Sequence, residues 1–402
     1  MSVWVTIVLD GVGIGEAPDA HVYGDEGSDT LGHVCSLARP ALPNLTVAGL
    51  GNIAPLVGVP AVASPQAVFG KMQEASAGKD STTGHWELAG LPLETPFPTY
   101  PKGFPEDVVT EWVSRCGLPG VLGNCVASGT AVIEEFGAMH MATGKPILYT
   151  SADSVFQIAV HTDCVPIEEL YRLCEIARNQ VCVGPHAVGR VIARPFTGTP
   201  GAFKRLSGLR KDFSYLPTHT TLQEALQKQG IRTMAIGKIG DLFGNVGFDD
   251  IRKTKSNAEG INRTIEAILE VQKSGQKAFI WTNLVDFDQE YGHRNDVKGF
   301  AAALEAFDAA LPEIRAVLPE EARLCIKLQF GVRQRTVAAG GQYFGRVNGA
   351  FGEPGGAAGE THEDRVRMLI ERDIVVLVGC GFNQVPETPH ARDRLFEGIH
   401  CH

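Results

Sequence analysis

Short apolar runs alternate with amphipathic segments along most of the chain. The apolar runs are rich in β-branched residues, as in buried strands, and cover residues 3–10, 231–237, 277–286 and 373–379. Segments 221–230 and 260–275 carry apolar residues three and four positions apart and end in glycine, which predicts helices. Strands that alternate with helices in this way predict an α/β fold with a mostly parallel central sheet flanked by helices.

The middle of the chain has a different organisation. It opens and closes with proline-bearing turns, TPFPTYPKGFP and SYLPTHT, and between them the pattern predicts additional elements: helices at 105–115 and 167–178, and strands at 146–150 and 188–193. We therefore predict a core domain formed by residues 1–96 and 218–402, with an inserted α+β cap domain at 97–217.

Composition and charge narrow the class of protein. The formal net charge of −10 argues against nucleic acid or an anionic membrane as the main partner. No run of 18 apolar residues is present, and the N-terminus MSVWVTIVLDG lacks the basic start of a signal peptide. The nine cysteines include no Cys-x-x-Cys pair, which is typical of free thiols in a reducing compartment. These features predict a cytoplasmic protein.

Three polar clusters contain candidate catalytic or metal-binding residues. Asp10 ends the first predicted strand, the segment GKDSTTGHWELAG contains Ser81 and two further hydroxyls, and VDFDQEYGHRND contains Asp288 and His293. In open α/β sheets ligands bind at the carboxyl ends of the strands, and carboxylate with imidazole suits Mn²⁺ or Zn²⁺. The alternative is structural, because an aspartate after a strand often caps a helix and loop Asp and His are often only solvated.

The predicted insertion carries the groups that would bind an anion. Four arginines, whose planar guanidinium groups can hold phosphate through paired hydrogen bonds, lie at Arg190, Arg194, Arg205 and Arg210. A solvated basic surface is the other interpretation. Ser151 and Asp153 follow a predicted strand, where they would either bind sugar hydroxyls or form a structural turn.

Taken together, the motifs resemble one known family. The matching segments follow the family order over most of residues 1–325: DGVGIGEAPDA, GKDSTTGHWELAG, YTSADSVFQIAVH, GRVIARPFTGTPGAF, AIGKIGDLF and NLVDFDQEYGHRNDVKG. The chain resembles the phosphopentomutase family of the alkaline phosphatase superfamily. This resemblance implies an alkaline-phosphatase-like core with an inserted cap. It also implies an isomerase of nucleoside catabolism that interconverts ribose 1-phosphate and ribose 5-phosphate, and the 2-deoxyribose equivalents.

The resemblance also assigns roles to residues. The phosphate-carrying nucleophile would be Ser81, where many relatives have threonine. Of two expected Mn²⁺ ions, one would be shared by Asp10 and Ser81, and the other would be held by Asp288 and His293. The implied sugar-phosphate site is lined by Ser151, Asp153, Arg190, Arg194, Arg205, Arg210 and Lys238. The implied partners are pentose phosphates, with a sugar bisphosphate as a conceivable activator.

The match to the family stops after about residue 326. There the family has a strand that ends in Thr-Ala-Asp-His-Gly, followed by Thr-Asp-His, whereas this chain reads KLQFGVRQRTVAAGG. No aspartate occurs between Asp308 and Asp364 and no histidine between His293 and His362, which leaves His362 as the remaining candidate ligand. A replaced or frameshifted tail is our hypothesis, and it leaves occupancy of the second metal site open. Two alternatives to the mutase follow: a metal-dependent phosphohydrolase of the same superfamily, and an inactive sugar-phosphate-binding relative.

Overall fold

The computed structural model describes residues 2–328, apart from Gln73, Lys79 and Ala152, together with the backbone of residues 374–379. The candidate ligand His362 lies outside the described residues. Among the described helices, none combines the length and apolar character needed to cross a membrane.

The predicted strands and helices are present, with shifts of a few residues at their ends. The strands are β1 (Val3–Leu9), β2 (Val68–Met72), β3 (Leu122–Val126), β4 (Ile147–Thr150), β5 (Val155–His161), β6 (Arg190–Thr197), β7 (Lys204–Arg205), β8 (Lys211–Ser214), β9 (Arg232–Ile236), β10 (Asp250–Arg252), β11 (Ala278–Leu284), β12 (Arg323–Leu328) and β13 (Ile374–Gly379). The α-helices are α1 (Ala20–Tyr23), α2 (Thr30–Ala38), α3 (Pro43–Ala48), α4 (Ser81–Leu88), α5 (Glu106–Cys116), α6 (Gly129–Thr143), α7 (Ile167–Ile176), α8 (Leu222–Lys228), α9 (Ile239–Leu242), α10 (Asn257–Ser274) and α11 (Val297–Ala316).

The described residues form two compact units. The first unit is built from the chain up to Ala75, from Leu222–Ile239 and from Gly247 onward. The second contains Ser76–Thr221 and Gly240–Val246. The predicted insertion, 97–217, lies inside the second unit, and its boundaries as a cap domain stay a prediction.

The first unit contains a seven-stranded sheet in the order β10-β9-β11-β1-β12-β13-β2. Every neighbouring pair in this sheet is parallel. Alternate residues of β1 point into one core that also takes in the apolar faces of α2, α10 and α11. The helix α10 begins where the Ser256 hydroxyl accepts a hydrogen bond from the Glu259 N–H, which caps its first turn. The prediction of an α/β fold with a parallel sheet flanked by helices is confirmed.

The second unit contains a mixed sheet in the order β3-β4-β5-β6-β7, with β8 paired to β6. One face of this sheet is apolar and packs against α5 and α7. The opposite face has an apolar part and a polar part. Helix α6 packs on the apolar part, which includes Ala159 and Phe196. The polar part carries Gln157, Arg190 and Arg194. The polar part of this face therefore lies beside α6.

Candidate functional site

Ser81 is the first residue of α4, and its neighbour Asp80 fixes the start of that helix. The Asp80 carboxylate accepts hydrogen bonds from the N–H groups of Thr82 and Thr83, at 2.9 and 3.0 Å, and from the Thr83 hydroxyl at 2.6 Å. An aspartate at this position stabilises a helix by satisfying N–H groups that have no partner within the helix. The crowded hydroxyl turn of the sequence is thus a capped helix start with Ser81, which is half-buried, at its tip.

Two buried aromatic side chains hold α4 in place. The His85 ring donates from Nδ1 to the Ser81 carbonyl at 2.7 Å, which fixes the backbone of the candidate nucleophile. The Trp86 indole donates to the Leu242 carbonyl at 2.9 Å and stacks on Tyr215 with ring centroids 6.2 Å apart. Both residues belong to the signature segment, and the structure gives them a positioning role.

In the first unit, Asp10 lies at the carboxyl end of β1 and is fully buried. Its carboxylate forms an ion pair with Lys238, which follows β9. Burial raises the pKa of the Asp10 carboxyl, Lys238 opposes this increase, and the negative charge of Asp288 adds to it. The structure therefore brings Asp10, Asp288 and Lys238 into one electrostatic cluster, with Lys238 supplying positive charge.

Asp288 and His293 follow β11 in two short helical turns. The Asp288 carboxylate is buried and lies 3.4 Å from Nε2 of His293, whose side chain is half exposed. The preceding Asp286 has a structural role, because its carboxylate accepts a hydrogen bond from the Asn257 N–H at the start of α10. Of Asp286 and Asp288, Asp288 is thus the one placed to bind a ligand.

The described side chains supply some of the ligands that a divalent cation needs, but not a full set. Asp288 and His293 form a carboxylate–imidazole pair of the kind that transition metals prefer. Within the described residues, however, no three His, Cys, Asp or Glu side chains are grouped closely enough to hold a metal ion. The complete two-ion site implied by the resemblance is therefore not formed by the described residues.

In the second unit, two of the arginines pair with a half-buried aspartate. Asp212, on β8, accepts two hydrogen bonds of 2.7 Å from Arg210 and lies 3.4 Å from Arg190. Burial alone would raise the pKa of Asp212, but the hydrogen bonds and charges of Arg210 and Arg190 outweigh burial and lower the pKa. Arg190 also lies 3.8 Å from Asp153, whose N–H donates to the Ser151 hydroxyl. Ser151 and Asp153 thus form a local turn next to an arginine.

The other two arginines are placed differently. Arg194 donates to the Gln157 side chain at 3.1 Å, and Arg205 lies on the exposed strand β7. Both guanidinium groups act electrostatically on the buried Tyr149 hydroxyl. Tyr149, Gln157 and Asp212 were not among the site residues predicted from the sequence. The only sequence signal for them is the two-residue strand period that places polar side chains on one face.

Comparison with known proteins agrees with these observations. Residues 2–327 match the metalloenzyme superfamily. The chain is 53% identical to a phosphopentomutase of Caldanaerobacter subterraneus over 81% of each chain. It is 53% identical to one from Desulfitobacterium hafniense over 81% of this chain and 83% of that one. With a phosphopentomutase of Carboxydothermus hydrogenoformans it shares 50% identity over the same two fractions.

One solved structure, PH0037 protein from Pyrococcus horikoshii, is similar over 80% of this chain and 77% of that chain, with 14% identity and a TM-score of 0.36, which supports no conclusion. The superfamily match ends at residue 327, where the departure of the tail was predicted. The superfamily and these relatives imply dependence on a divalent metal. Because half of the residues are identical over four fifths of the chain, the chain belongs to the phosphopentomutase family of the metalloenzyme superfamily.

Proposed function

We propose that the chain is a pentose phosphate mutase that interconverts ribose 1-phosphate and ribose 5-phosphate and the 2-deoxyribose equivalents. The observation that carries this proposal is the 53% identity to curated phosphopentomutases over 81% of the chain. We further propose Mn²⁺ as the divalent metal, with Asp10, Asp288 and His293 as the ligands contributed by the first unit. The cytoplasmic location and the sugar bisphosphate activator stay predictions.

Within this proposal Ser81 carries the phosphoryl group. Its place at the start of the eight-residue helix α4 supports the role, because the partial positive charge of a helix N-terminus stabilises a phosphate there. The His85 hydrogen bond to the Ser81 carbonyl supports it as well, since it limits movement of the nucleophile. A serine hydroxyl is a poor nucleophile until a base or a cation assists its deprotonation, which is the chemistry that a bound divalent metal supplies.

The arginine cluster is proposed to bind and orient the sugar phosphate. Arg190 and Arg210 share the charge of Asp212, whereas Arg194 contacts only the neutral Gln157 among the hydrogen-bond partners described. The cluster therefore carries more positive charge than its own carboxylates balance, which favours a dianionic ligand. The proposed contacts of Ser151, Asp153 and Lys238 with the sugar phosphate follow from the family resemblance.

A second candidate is an inactive sugar-phosphate-binding relative. It is favoured by the absence of aspartate between Asp308 and Asp364 and of histidine between His293 and His362, together with the lack of a three-ligand group among the described residues. This candidate retains the arginine cluster and lacks the metal chemistry.

A coupled assay of ribose 1-phosphate conversion with added Mn²⁺, together with metal counting on the purified protein, separates these functions. The mutase proposal expects turnover, its loss in Ser81→Ala, and its retention in the matched variant Ser81→Thr, because threonine keeps the hydroxyl. Binding of ribose 5-phosphate in calorimetry without turnover at any Mn²⁺ concentration would favour the inactive relative. Release of inorganic phosphate without isomerisation would indicate a phosphohydrolase.

A further inference from the structure

The loop 198–203, which connects β6 to β7, is held to helix α6 by one carboxylate. Glu134 lies in the second turn of α6, and its two oxygens accept hydrogen bonds from the Gly201 N–H at 3.2 Å and from the Phe203 N–H at 3.1 Å. Hydrogen bonds to an ionised acceptor are stronger than those between neutral groups. A single side chain that binds two backbone groups in this way fixes the path of the loop between them.

The same face of α6 also accommodates the aromatic side chain of the loop. Gly137 comes three residues after Glu134, so the two positions are neighbours on one face of the helix. A Cβ placed on Gly137 would lie 2.4 Å from the Phe203 ring, which therefore packs where only glycine leaves enough space. The ring also makes an edge-to-face contact with Phe196 of β6, with ring centroids 5.3 Å apart. The end of the loop is thus attached both to α6 and to the sheet.

His161 holds the beginning of the loop. This buried ring accepts the Asp163 N–H at Nδ1, at 3.2 Å, so its Nε2 carries the proton and donates to the Gly198 carbonyl at 3.0 Å. Gly198 has a φ of +105°, a backbone conformation that favours glycine. The loop is therefore fixed at its beginning by His161 and at its end by Glu134.

The anchored loop leads directly into β7, which is only two residues long. Lys204 and Arg205 form this strand, and they pair antiparallel with Thr197 and Phe196 of β6. Because so short a strand gains little from its own pairing, its position depends on the loop that precedes it. The Arg205 guanidinium group reaches the start of α6, where a Cβ placed on Gly129 would lie 3.7 Å from one of its terminal nitrogens. One helix therefore carries both the anchor of the loop and the neighbour of the guanidinium group.

We propose that Glu134 is a positioning residue for Arg205: by holding loop 198–203 against α6, its carboxylate sets where the guanidinium group lies. The ligand of Arg205, a pentose phosphate, rests on the proposed function, whereas the anchoring rests on the contacts of the loop. Arg205 is exposed, and its long side chain on a free loop would occupy many positions. Ordering the loop before the ligand arrives reduces the entropy that binding costs.

Limited digestion with trypsin tests the anchoring without any ligand. Trypsin cleaves after Lys204 and Arg205, which are exposed, and a bond in a held segment is cut only when that segment opens. Glu134→Ala removes both hydrogen bonds, and we expect cleavage at these two bonds to become roughly five-fold faster, with cleavage elsewhere in the chain unchanged. Glu134→Gln keeps one acceptor oxygen and should give an intermediate rate.

The matched control is Glu135→Ala. Glu135 is the next residue of α6, is also exposed and acidic, and its charge acts on Cys125 of β3. We expect this variant to be cleaved at the wild-type rate. Wild-type cleavage in Glu134→Ala, or equally faster cleavage in Glu135→Ala, would overturn the inference.

A double-mutant cycle in calorimetry with ribose 5-phosphate tests the consequence for Arg205. We expect Glu134→Ala to weaken binding roughly five-fold and Arg205→Ala roughly ten-fold. The double variant should bind no more weakly than Arg205→Ala alone, because Glu134 acts through Arg205, and losses that multiply would contradict a positioning role. Binding is measured without turnover, so a chain that shows this coupling but lacks mutase activity would refute the proposed function and leave the role of Glu134 standing.

Discussion

Replacement of Asp80 tests whether this aspartate acts as a helix cap or takes part in the chemistry. Its carboxylate accepts two backbone N–H groups at the start of α4 and the Thr83 hydroxyl, and it stands directly before the proposed nucleophile Ser81. Asp80→Ala removes all three hydrogen bonds. Asp80→Asn keeps a side-chain oxygen that can accept from the same N–H groups and removes the charge.

The size of the effect follows from these contacts. Loss of an N-cap side chain costs about 0.5–2 kcal/mol, and the Thr83 hydroxyl, which is in a buried residue, loses an acceptor worth about 1 kcal/mol. We therefore expect Asp80→Ala to lower the free energy of unfolding by about 2–3 kcal/mol. Asp80→Asn should cost less than about 1 kcal/mol, because asparagine is as good an N-cap as aspartate.

Urea unfolding and the coupled mutase assay measure the two consequences separately. For a residue that acts only as a cap, we expect Asp80→Asn to have near wild-type stability and activity. Asp80→Ala should lose both, because the helix start that carries Ser81 frays. A variant Asp80→Asn with wild-type stability and abolished turnover would refute this reasoning. In that case the charge of Asp80 would serve the reaction itself.

Three further predictions concern stability and metal. The buried His140 accepts the His161 N–H at Nε2 and donates from Nδ1 to the Lys145 carbonyl, and burial lowers its pKa. As the pH falls, the unfolded chain therefore binds a proton at this histidine before the folded protein does. The free energy of unfolding should fall by up to about 1.4 kcal/mol per pH unit below about pH 6.5. Urea unfolding of His140→Gln should show a smaller dependence on pH. Asp308→Ala should lower the free energy of unfolding by about 3 kcal/mol in the same assay. The reason is that this buried carboxylate of α11 accepts hydrogen bonds from two backbone N–H groups at the start of α3 and from the Asn44 side-chain amide. Asp308→Asn keeps one acceptor oxygen and should lower the free energy of unfolding less. Removal of metal with EDTA should abolish turnover but preserve calorimetric binding of ribose 5-phosphate, since the arginine cluster has its own charge; loss of both would contradict a separate phosphate site.

The local hydrophobic pattern was sufficient to predict most of the central strands of the first unit. The runs that became β1, β9 and β11 are continuous and apolar because parallel strands are covered on both faces, and this makes them easy to recognise. The 20-residue helix α11 was not among the predicted helices, and it carries Pro312 within its span. Proline ordinarily ends a helical pattern, so packing against α2 and α10 had to override the local signal.

The candidate site was predictable where a residue stands at a strand end. Asp10 and Asp288 were identified because strand ends in parallel sheets meet at one edge, and the structure places them within electrostatic reach of each other. Tyr149 and Asp212 were not found, because only the pairing of β4, β5, β6 and β8 brings them beside the arginines. Register between strands far apart in sequence depends on the whole sheet, and a single sequence does not reveal it.

The tail shows why fold and metal site need not depend on the same residues. The strand β13, from a part of the chain beyond the family match, pairs in parallel with both β12 and β2 and so completes the first sheet. Strand pairing uses backbone groups that every residue except proline supplies, and an apolar run of suitable length is enough. Metal binding needs particular carboxylates and imidazoles at particular places, and the segment after β12 lacks those of the family. A protein of this sequence can therefore keep the sheet that positions Asp10 and Asp288 while the set of ligands around them stays incomplete, and this is why metal content, more than folding, decides between the mutase and the inactive relative.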